Sequence, residues 1–205
     1  MALSRERLYW TLGGIAVLVT WATLTWARAV AEWLRDRDLI TETMWAIFAA
    51  AAGAVLLFVV RQRPRWLELA VLAGFGAVYL LAILPLMGRP EEALHFVQYG
   101  VVGGLFYAAL AERGGRPAAR ADAAPGAPRP WVGRPGAAAL VAFLLTAGAG
   151  WIDEGIQHLL PERVYDLRDV GFNAAAGALA IAAIACRRWA HRRPRGPETD
   201  ARSLT

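Results

Sequence analysis

Long apolar segments alternate with short polar segments along most of the chain. Apolar residues dominate roughly residues 8–27, 43–60, 66–87, 93–111, 136–156 and 170–186. An α-helix of about 20 apolar residues is long enough to cross the hydrocarbon core of a bilayer. The pattern therefore predicts an all-α, polytopic transmembrane bundle of about six helices.

Composition points to the same class of protein. Apolar residues make up 57% of the chain and charged residues 19%, against about 45–50% and about 25% in soluble domains. The net charge is +5, and all 22 basic residues are arginines. These arginines lie between apolar segments and not along one polar face, so they indicate membrane topology and no nucleic-acid partner.

The distribution of arginine predicts the orientation. With the N-terminus in the cytoplasm, sixteen of the 22 arginines fall in cytoplasmic segments and six in external ones. The opposite orientation would reverse this bias, against the preference of short cytoplasmic loops for basic residues. Both termini are therefore predicted to be cytoplasmic.

Two polar segments lie next to helix ends that this orientation places outside. The first contains Glu91, Glu92, His95 and Tyr99, and the second contains Asp153, Glu154, Gln157, Arg163, Asp169 and Asn173. His95 and Tyr99 are four residues apart, as are Asp153 and Gln157, and Asp169 and Asn173, so each pair shares one helix face. Because ionisable groups at membrane depth usually face the bundle interior or a water-filled cavity, we predict a polar pocket open to the outside.

Each of these residues also has a structural explanation. His95 could be an interfacial residue, and Glu91 could be solvated or favour a helix N-terminus through the helix dipole. Arg163 could pair with a carboxylate of its own loop, such as Asp169. Asn173 could form a hydrogen bond between helices.

The two segments resemble the VanZ-like family of bacterial membrane proteins. The first family motif is an acidic residue, Lys, two variable residues, His, Phe, two variable residues and Tyr, and this chain supplies Glu91, His95, Phe96 and Tyr99. Glu92 stands where the family often has Lys. The second motif is matched at seven positions over 21 residues, namely Asp153, Glu154, Gln157, Pro161, Arg163, Asp169 and Asn173. Ala176 stands where a Gly is common.

The resemblance covers roughly residues 89–185 and implies a multi-pass protein of the bacterial cell membrane. It divides the chain into three N-terminal helices (1–88), a VanZ-like three-helix core with the polar pocket (89–186) and a disordered basic tail (187–205). The founding member of the family is associated with reduced susceptibility to the glycopeptide antibiotic teicoplanin. The resemblance thus implies a link to the cell envelope and not a particular reaction.

Two functional classes fit these residues. A binding protein would hold an anionic envelope lipid, a cell-wall precursor or a glycopeptide-type ligand, with Glu91, Tyr99, Gln157, Arg163 and Asn173 as contact residues. Alternatively, a membrane-embedded hydrolase or transferase would act on a lipid-linked cell-wall substrate, with His95, Asp153, Glu154 and Asp169 in general acid–base roles. The planar guanidinium of Arg163 suits a phosphate or carboxylate in both cases. No cofactor is assigned, and no metal site is predicted because no HExxH spacing occurs.

The orientation can be tested by labelling of introduced cysteines. In intact cells, Pro90→Cys and Tyr165→Cys should react with a membrane-impermeant thiol reagent, because the arginine bias places both outside. Asp122→Cys, in the longest arginine-rich loop, should not react. Labelling of the Asp122→Cys variant would show that the orientation is the opposite one, with the polar pocket on the cytoplasmic face.

Overall fold

Six α-helices make up the chain where the computed structural model describes it, at residues 4–62, 64–87, 90–115, 135–160 and 165–192, and no strand occurs within these ranges. In chain order the helices are α1 (Arg5–Arg35), α2 (Ile40–Gln62), α3 (Trp66–Val78), α4 (Pro90–Gly115), α5 (Pro135–His158) and α6 (Leu167–Arg192). The all-α prediction is confirmed.

Several helices extend beyond the predicted apolar segments. The connection predicted at 28–42 is helical as far as Arg35. α6 continues to Arg192, six residues into the segment predicted as a disordered tail, and residues 193–205 lie outside the described residues. Hydropathy marks only the part of a helix inside the hydrocarbon, whereas the backbone hydrogen bonds of a helix continue into water until a breaker intervenes.

The segment after α3 departs from regular α-helix. It continues as a π-helical turn (Tyr79–Ile83) and a 3-10 turn (Leu84–Leu86). Pro85 explains why the helix ends here, because proline lacks a backbone N–H and its ring clashes with the carbonyl of the preceding turn. π-helical turns are rare and occur frequently at functional sites.

Five helical segments are long and apolar enough to cross a bilayer. They are Arg5–Trp26 in α1, Trp66–Leu86 in α3 and its continuation, Ala93–Gly114 in α4, Pro135–His158 in α5 and Leu167–His191 in α6. In α2, the apolar stretch of this kind within the described residues is the shorter Ile40–Ala50. The chain is therefore a multi-pass membrane protein.

Small residues bring α4, α5 and α6 into close contact at one crossing. A Cβ added to Gly103 of α4 would lie 2.8 Å from the Cα of Gly177 in α6, and a Cβ added to Gly177 would lie 2.7 Å from Cγ2 of Thr146 in α5. Thr146 is fully buried and donates its hydroxyl to the Ala142 carbonyl in its own helix, at 2.8 Å. Close approach of this kind is how helices associate in lipid, where apolar surface alone gives no preference for a helix partner.

α1 packs along α4 in the opposite direction. The Trp10 and Phe106 rings are 5.4 Å apart, and further along α1 the Gln98 amide of α4 donates a hydrogen bond to the Thr20 hydroxyl. The two helices are therefore antiparallel. The C-terminal part of α1 therefore lies beside the N-terminal part of α4.

Charged side chains tie three helices together at one end of the bundle, which we call the arginine end. Buried Glu68 of α3 lies 2.9 Å from the Nδ1 atom of His191 and 3.7 Å from a guanidinium nitrogen of Arg187, both in α6. Arg188 of α6 donates to the Glu112 carboxylate of α4 at 3.0 Å. The start of α3 and the end of α4 are therefore fixed to the end of α6.

The glycine crossing can be tested by adding one methyl group. Gly103→Ala should lower the free energy of unfolding by about 1–3 kcal/mol, because the new Cβ would meet the backbone of Gly177 and push α4 and α6 apart. Gly148→Ala is the matched control, since nothing lies within 4 Å of its added Cβ. Detergent-solubilised protein unfolded by heat or by SDS provides the measurement. Equal stability of the two variants would mean that the crossing is not a close contact.

Candidate functional site

The polar residues of the two segments lie at the end of the bundle opposite the arginine end. His95 is five residues after the start of α4, Asp153 is five residues before the end of α5, and Asn173 is six residues after the start of α6. At 1.5 Å per residue, all three lie about 8–9 Å inside their helix ends. The three positions therefore share one depth. We call His95, Tyr99, Asp153, Glu154 and Asn173 the polar cluster.

His95 and Asp153 contact each other across α4 and α5. The Nδ1 atom of His95 lies 3.5 Å from Oδ2 of Asp153. The Asp153 side chain is fully buried, whereas 36% of the His95 side chain is exposed. His95 thus connects a buried carboxylate to the outside of the bundle.

The Asp153 carboxylate accepts no hydrogen bond from any described residue. At 3.5 Å, the His95 nitrogen is too far away for a normal hydrogen bond. A buried carboxylate without donors is unfavourable by several kcal/mol in an apolar environment. Asp153 is therefore the least satisfied charged group among the described members of the site.

Tyr99 lies on the inner side of Asp153. Its ring is 1% exposed, and its hydroxyl donates to the Ala149 carbonyl over 3.4 Å. The hydroxyl also lies close to the Asp153 carboxylate and to the indole nitrogen of Trp21 in α1, although neither Asp153 nor Trp21 forms a hydrogen bond of normal geometry there. Tyr99 and Trp21 close the cluster toward the membrane interior.

Glu154 and Gln157 hold the backbone around the cluster. Gln157 donates its amide to Oε1 of Glu154 at 3.1 Å, and Oε2 of Glu154 accepts the backbone N–H of Asp166 at 3.4 Å. The end of α5 is therefore linked to the residues that precede α6. Since these contacts use the Glu154 oxygens and the Gln157 amide, both side chains act as positioning groups in this structure.

Asn173 and Asp169 approach the cluster from α6. Asn173 is 1% exposed, and its amide nitrogen has no hydrogen-bond partner within the described ranges. Gly150 of α5 makes room for it, because an added Cβ would lie 2.7 Å from the Cβ of Asn173. Asp169, in the first turn of α6, lies close enough to Glu154 for the two carboxylates to repel each other.

Two predicted site residues cannot be placed. Arg163 and the side chain of Glu91 lie outside the described residues. Within the described ranges, no group of three or more His, Cys, Asp or Glu side chains is arranged to hold a metal ion. His158 is exposed and lies beside the Tyr165 ring, with ring centroids 6.2 Å apart.

The arrangement combines a hydrogen-bond acceptor with a proton carrier. A carboxylate beside an imidazole fixes the orientation of the ring and stabilises its charged form, and this pairing activates histidine as a general base. Buried oxygens without donors also offer a binding position to a ligand that brings N–H or O–H groups. The site is thus able to bind a hydrogen-bond donor and to accept a proton from it.

Trp21 and Tyr79 also border the site, although the sequence motifs do not include them. The indole nitrogen of Trp21 and the hydroxyl of Tyr79 are both buried without a hydrogen-bond partner among the described residues. Tyr79 stacks on Phe96, next to His95, with ring centroids 5.0 Å apart. A signal was present, because both residues lie well inside apolar segments, whereas Trp and Tyr in membrane proteins concentrate at the interfaces.

Comparison with known proteins identifies no relative. A scan against protein-family models, a search of curated proteins and a search of solved structures each returned no match.

The unsatisfied state of Asp153 predicts an unusual effect on stability. Asp153→Asn should raise the free energy of unfolding by about 1–3 kcal/mol, because it removes a buried charge that no described donor stabilises. Glu154→Ala, the matched carboxylate on the next residue, should lower it by a similar amount because it strands the Gln157 amide and the Asp166 N–H. Thermal unfolding in detergent would compare both with the unchanged protein. Strong destabilisation by Asp153→Asn would mean that the carboxylate has a structural partner.

Proposed function

We propose that the chain is a VanZ-like integral membrane protein of the bacterial cell envelope, with six spans and both termini in the cytoplasm. In this function the polar cluster lies near the outer face of the membrane, binds or modifies an envelope ligand and affects susceptibility to glycopeptide antibiotics. The residues that carry the family resemblance support this function, because His95, Tyr99, Asp153, Glu154 and Asn173 form the polar cluster.

Asp153 is the observation that supports a functional site most directly. It is fully buried at membrane depth, and no described donor satisfies it. Ionisable side chains in such positions are costly, and they mark ligand or proton sites in membrane proteins. A purely structural carboxylate would resemble Glu68 at the arginine end, where His191 and Arg187 lie against it.

The described groups favour a ligand that donates hydrogen bonds. Asp153, Glu154 and Asp169 bring three carboxylates to the site, and His95 is the basic group among them. Ammonium, amide or hydroxyl groups of an envelope lipid, a cell-wall precursor or a glycopeptide would pair with these oxygens. The sequence also predicts an anionic group on the ligand. That part of the prediction rests on Arg163, which lies outside the described residues.

Catalysis is the second candidate function, and the contact between His95 and Asp153 favours it. A histidine with a carboxylate 3.5 Å away and 36% of its side chain exposed is able to take a proton from a water molecule or a hydroxyl group at the mouth of the site. The substrate class would be a lipid-linked cell-wall precursor. The deprotonated water would attack it in a hydrolase, and the deprotonated hydroxyl group would attack it in a transferase.

Substitutions in the polar cluster should abolish any effect of the protein on the antibiotic susceptibility of its host. In a teicoplanin-susceptible bacterium that expresses the chain, His95→Gln and Asp153→Asn should return the minimal inhibitory concentration to that of cells without the protein. His158→Gln, a matched histidine that is exposed and outside the cluster, should behave like the unchanged chain. Equal amounts of membrane-inserted protein must be verified for each variant. Unchanged inhibitory concentrations in both cluster variants, beside a clear effect of the unchanged chain, would refute the proposed site.

A turnover assay separates catalysis from binding. Purified protein is incubated with a labelled lipid-linked cell-wall precursor, and both released product and retained label are followed. Catalysis predicts a product whose rate falls about 10²–10⁴-fold in His95→Gln, the usual contribution of a general base. Binding alone predicts saturable retention of the label, reduced in Asp153→Asn, with no product.

A further inference from the structure

A groove on the membrane-facing side of the bundle lies between α3, α4 and α6. Its volume is about 190 Å³. One wall consists of the aromatic rings of Phe75, Tyr79 and Phe96, and the floor consists of the small residues Gly100, Ala176 and Ala180. Aromatic rings opposite small side chains leave a slot, because the backbones of α4 and α6 approach closely beneath it.

The groove faces hydrocarbon. The side chains beside it are large, apolar and exposed: Val78 is 47% exposed, Leu81 is 78% exposed and Val101 is 52% exposed. Side chains of this type on a membrane span contact lipid chains. One turn of an α-helix, about 10 Å across and 5.4 Å long, takes up about 400 Å³. This exceeds the volume of the groove, about 190 Å³, so the occupant we consider is a single hydrocarbon chain.

The groove lies beside Tyr99 of the polar cluster, because Phe96 and Ala176 of its lining pack against that residue. Phe96 of its wall precedes Tyr99 by three residues and follows His95 in the chain, and Ala176 of its floor follows Asn173 by three residues. Phe96, Tyr99 and Ala176 belong to one packed apolar group, with Tyr79 and Leu179 against it. The buried Tyr79 hydroxyl in the wall has no hydrogen-bond partner among the described residues and offers a donor to a ligand.

We propose that this groove holds one hydrocarbon chain of a membrane lipid whose head group reaches the polar cluster. This inference rests on the proposed function, and it names the ligand class of that site as a lipid with N–H or O–H donors in its head group. Asp153 accepts hydrogen bonds from the head group, and the chain fills the slot between the aromatic wall and the small-residue floor.

A photoactivatable lipid provides the test. The full chain is reconstituted in nanodiscs containing phosphatidylethanolamine with a diazirine in one acyl chain, irradiated, and mapped by mass spectrometry. Cross-links should be several-fold denser on the groove segments of α3 and α6 than on the lipid-facing side of α5, where Leu140 and Leu144 are each 57% exposed. Uniform labelling of all lipid-facing surfaces would show ordinary surrounding lipid and would overturn the inference.

Two matched pairs of variants test the groove itself. Val97→Phe fills the groove, whereas Leu140→Phe, on the lipid-facing side of α5, does not. Ala183→Phe and its exposed neighbour Ala178→Phe repeat the comparison on α6, in case the first variant fails to fold. The groove variants should lower groove labelling several-fold and the controls should not. Equal labelling in groove and control variants would overturn the inference.

Asp153→Asn tests the connection to the polar cluster. It should lower groove labelling several-fold, because the negative charge is lost and one of the two acceptor oxygens is replaced by an N–H donor that opposes the donors of the head group. Unchanged labelling would overturn the inference, while the proposed function would still stand on the susceptibility measurements. A Val97→Cys variant in a Cys186→Ser background, if it forms disulfide-linked dimers on oxidation, would place a second copy in the groove and likewise overturn the inference.

Discussion

The approach of Gly103 to Gly177 determines where the polar side chains lie. Because an added methyl group at either position would overlap its neighbour, the crossing fixes the distance and the rotation of α4 against α6, with Thr146 of α5 beside it. Helices are rigid over two turns, so positions eight residues away follow from this contact. His95 lies eight residues before Gly103, and Asn173 lies four residues before Gly177. In a bilayer, such steric fit takes the place of the hydrophobic effect as the source of a specific arrangement.

The two ends of the bundle differ in how a buried carboxylate is compensated by neighbouring groups. Glu68 is nearly covered and lies against a histidine and an arginine that themselves reach water, so its charge is compensated while its partners remain solvated. Asp153 is covered as completely, but its described polar neighbours, the His95 imidazole at 3.5 Å and the Tyr99 hydroxyl, form no hydrogen bond of normal geometry with it. Proteins retain such unfavourable groups where binding or proton transfer requires them, at the expense of stability. This contrast within one molecule is the physical basis for proposing a functional role for Asp153 and a structural role for Glu68.

Hydropathy was enough to predict the helices, because the bilayer sets both their length and their composition, but it could not predict their ends. The spacing of four residues led us to expect Asp153 and Gln157 on one face, whereas the Gln157 amide bonds to Glu154, three residues away. Both spacings are compatible with one helix face, and in the structure the other oxygen of Glu154 accepts the backbone N–H of Asp166. Trp21 and Tyr79 were not identified because their orientation depends on contacts between helices distant in the chain.

α1 is much longer than a bilayer requires. Its 31 residues extend about 46 Å, against about 30 Å of hydrocarbon. Thr20 of α1 contacts Gln98 of α4. From this contact toward the polar cluster, α1 continues about 22 Å to its C-terminal end, and α4 continues about 12 Å to its N-terminal end. α1 therefore stands about 10 Å above the start of α4 as a wall on one flank of the polar cluster. On the flank of α3, the helix ends in a π-helical turn followed by a 3-10 turn at Leu86. The mouth of the site is therefore asymmetric, because α1 extends beyond the start of α4 whereas the turns after α3 end at Leu86.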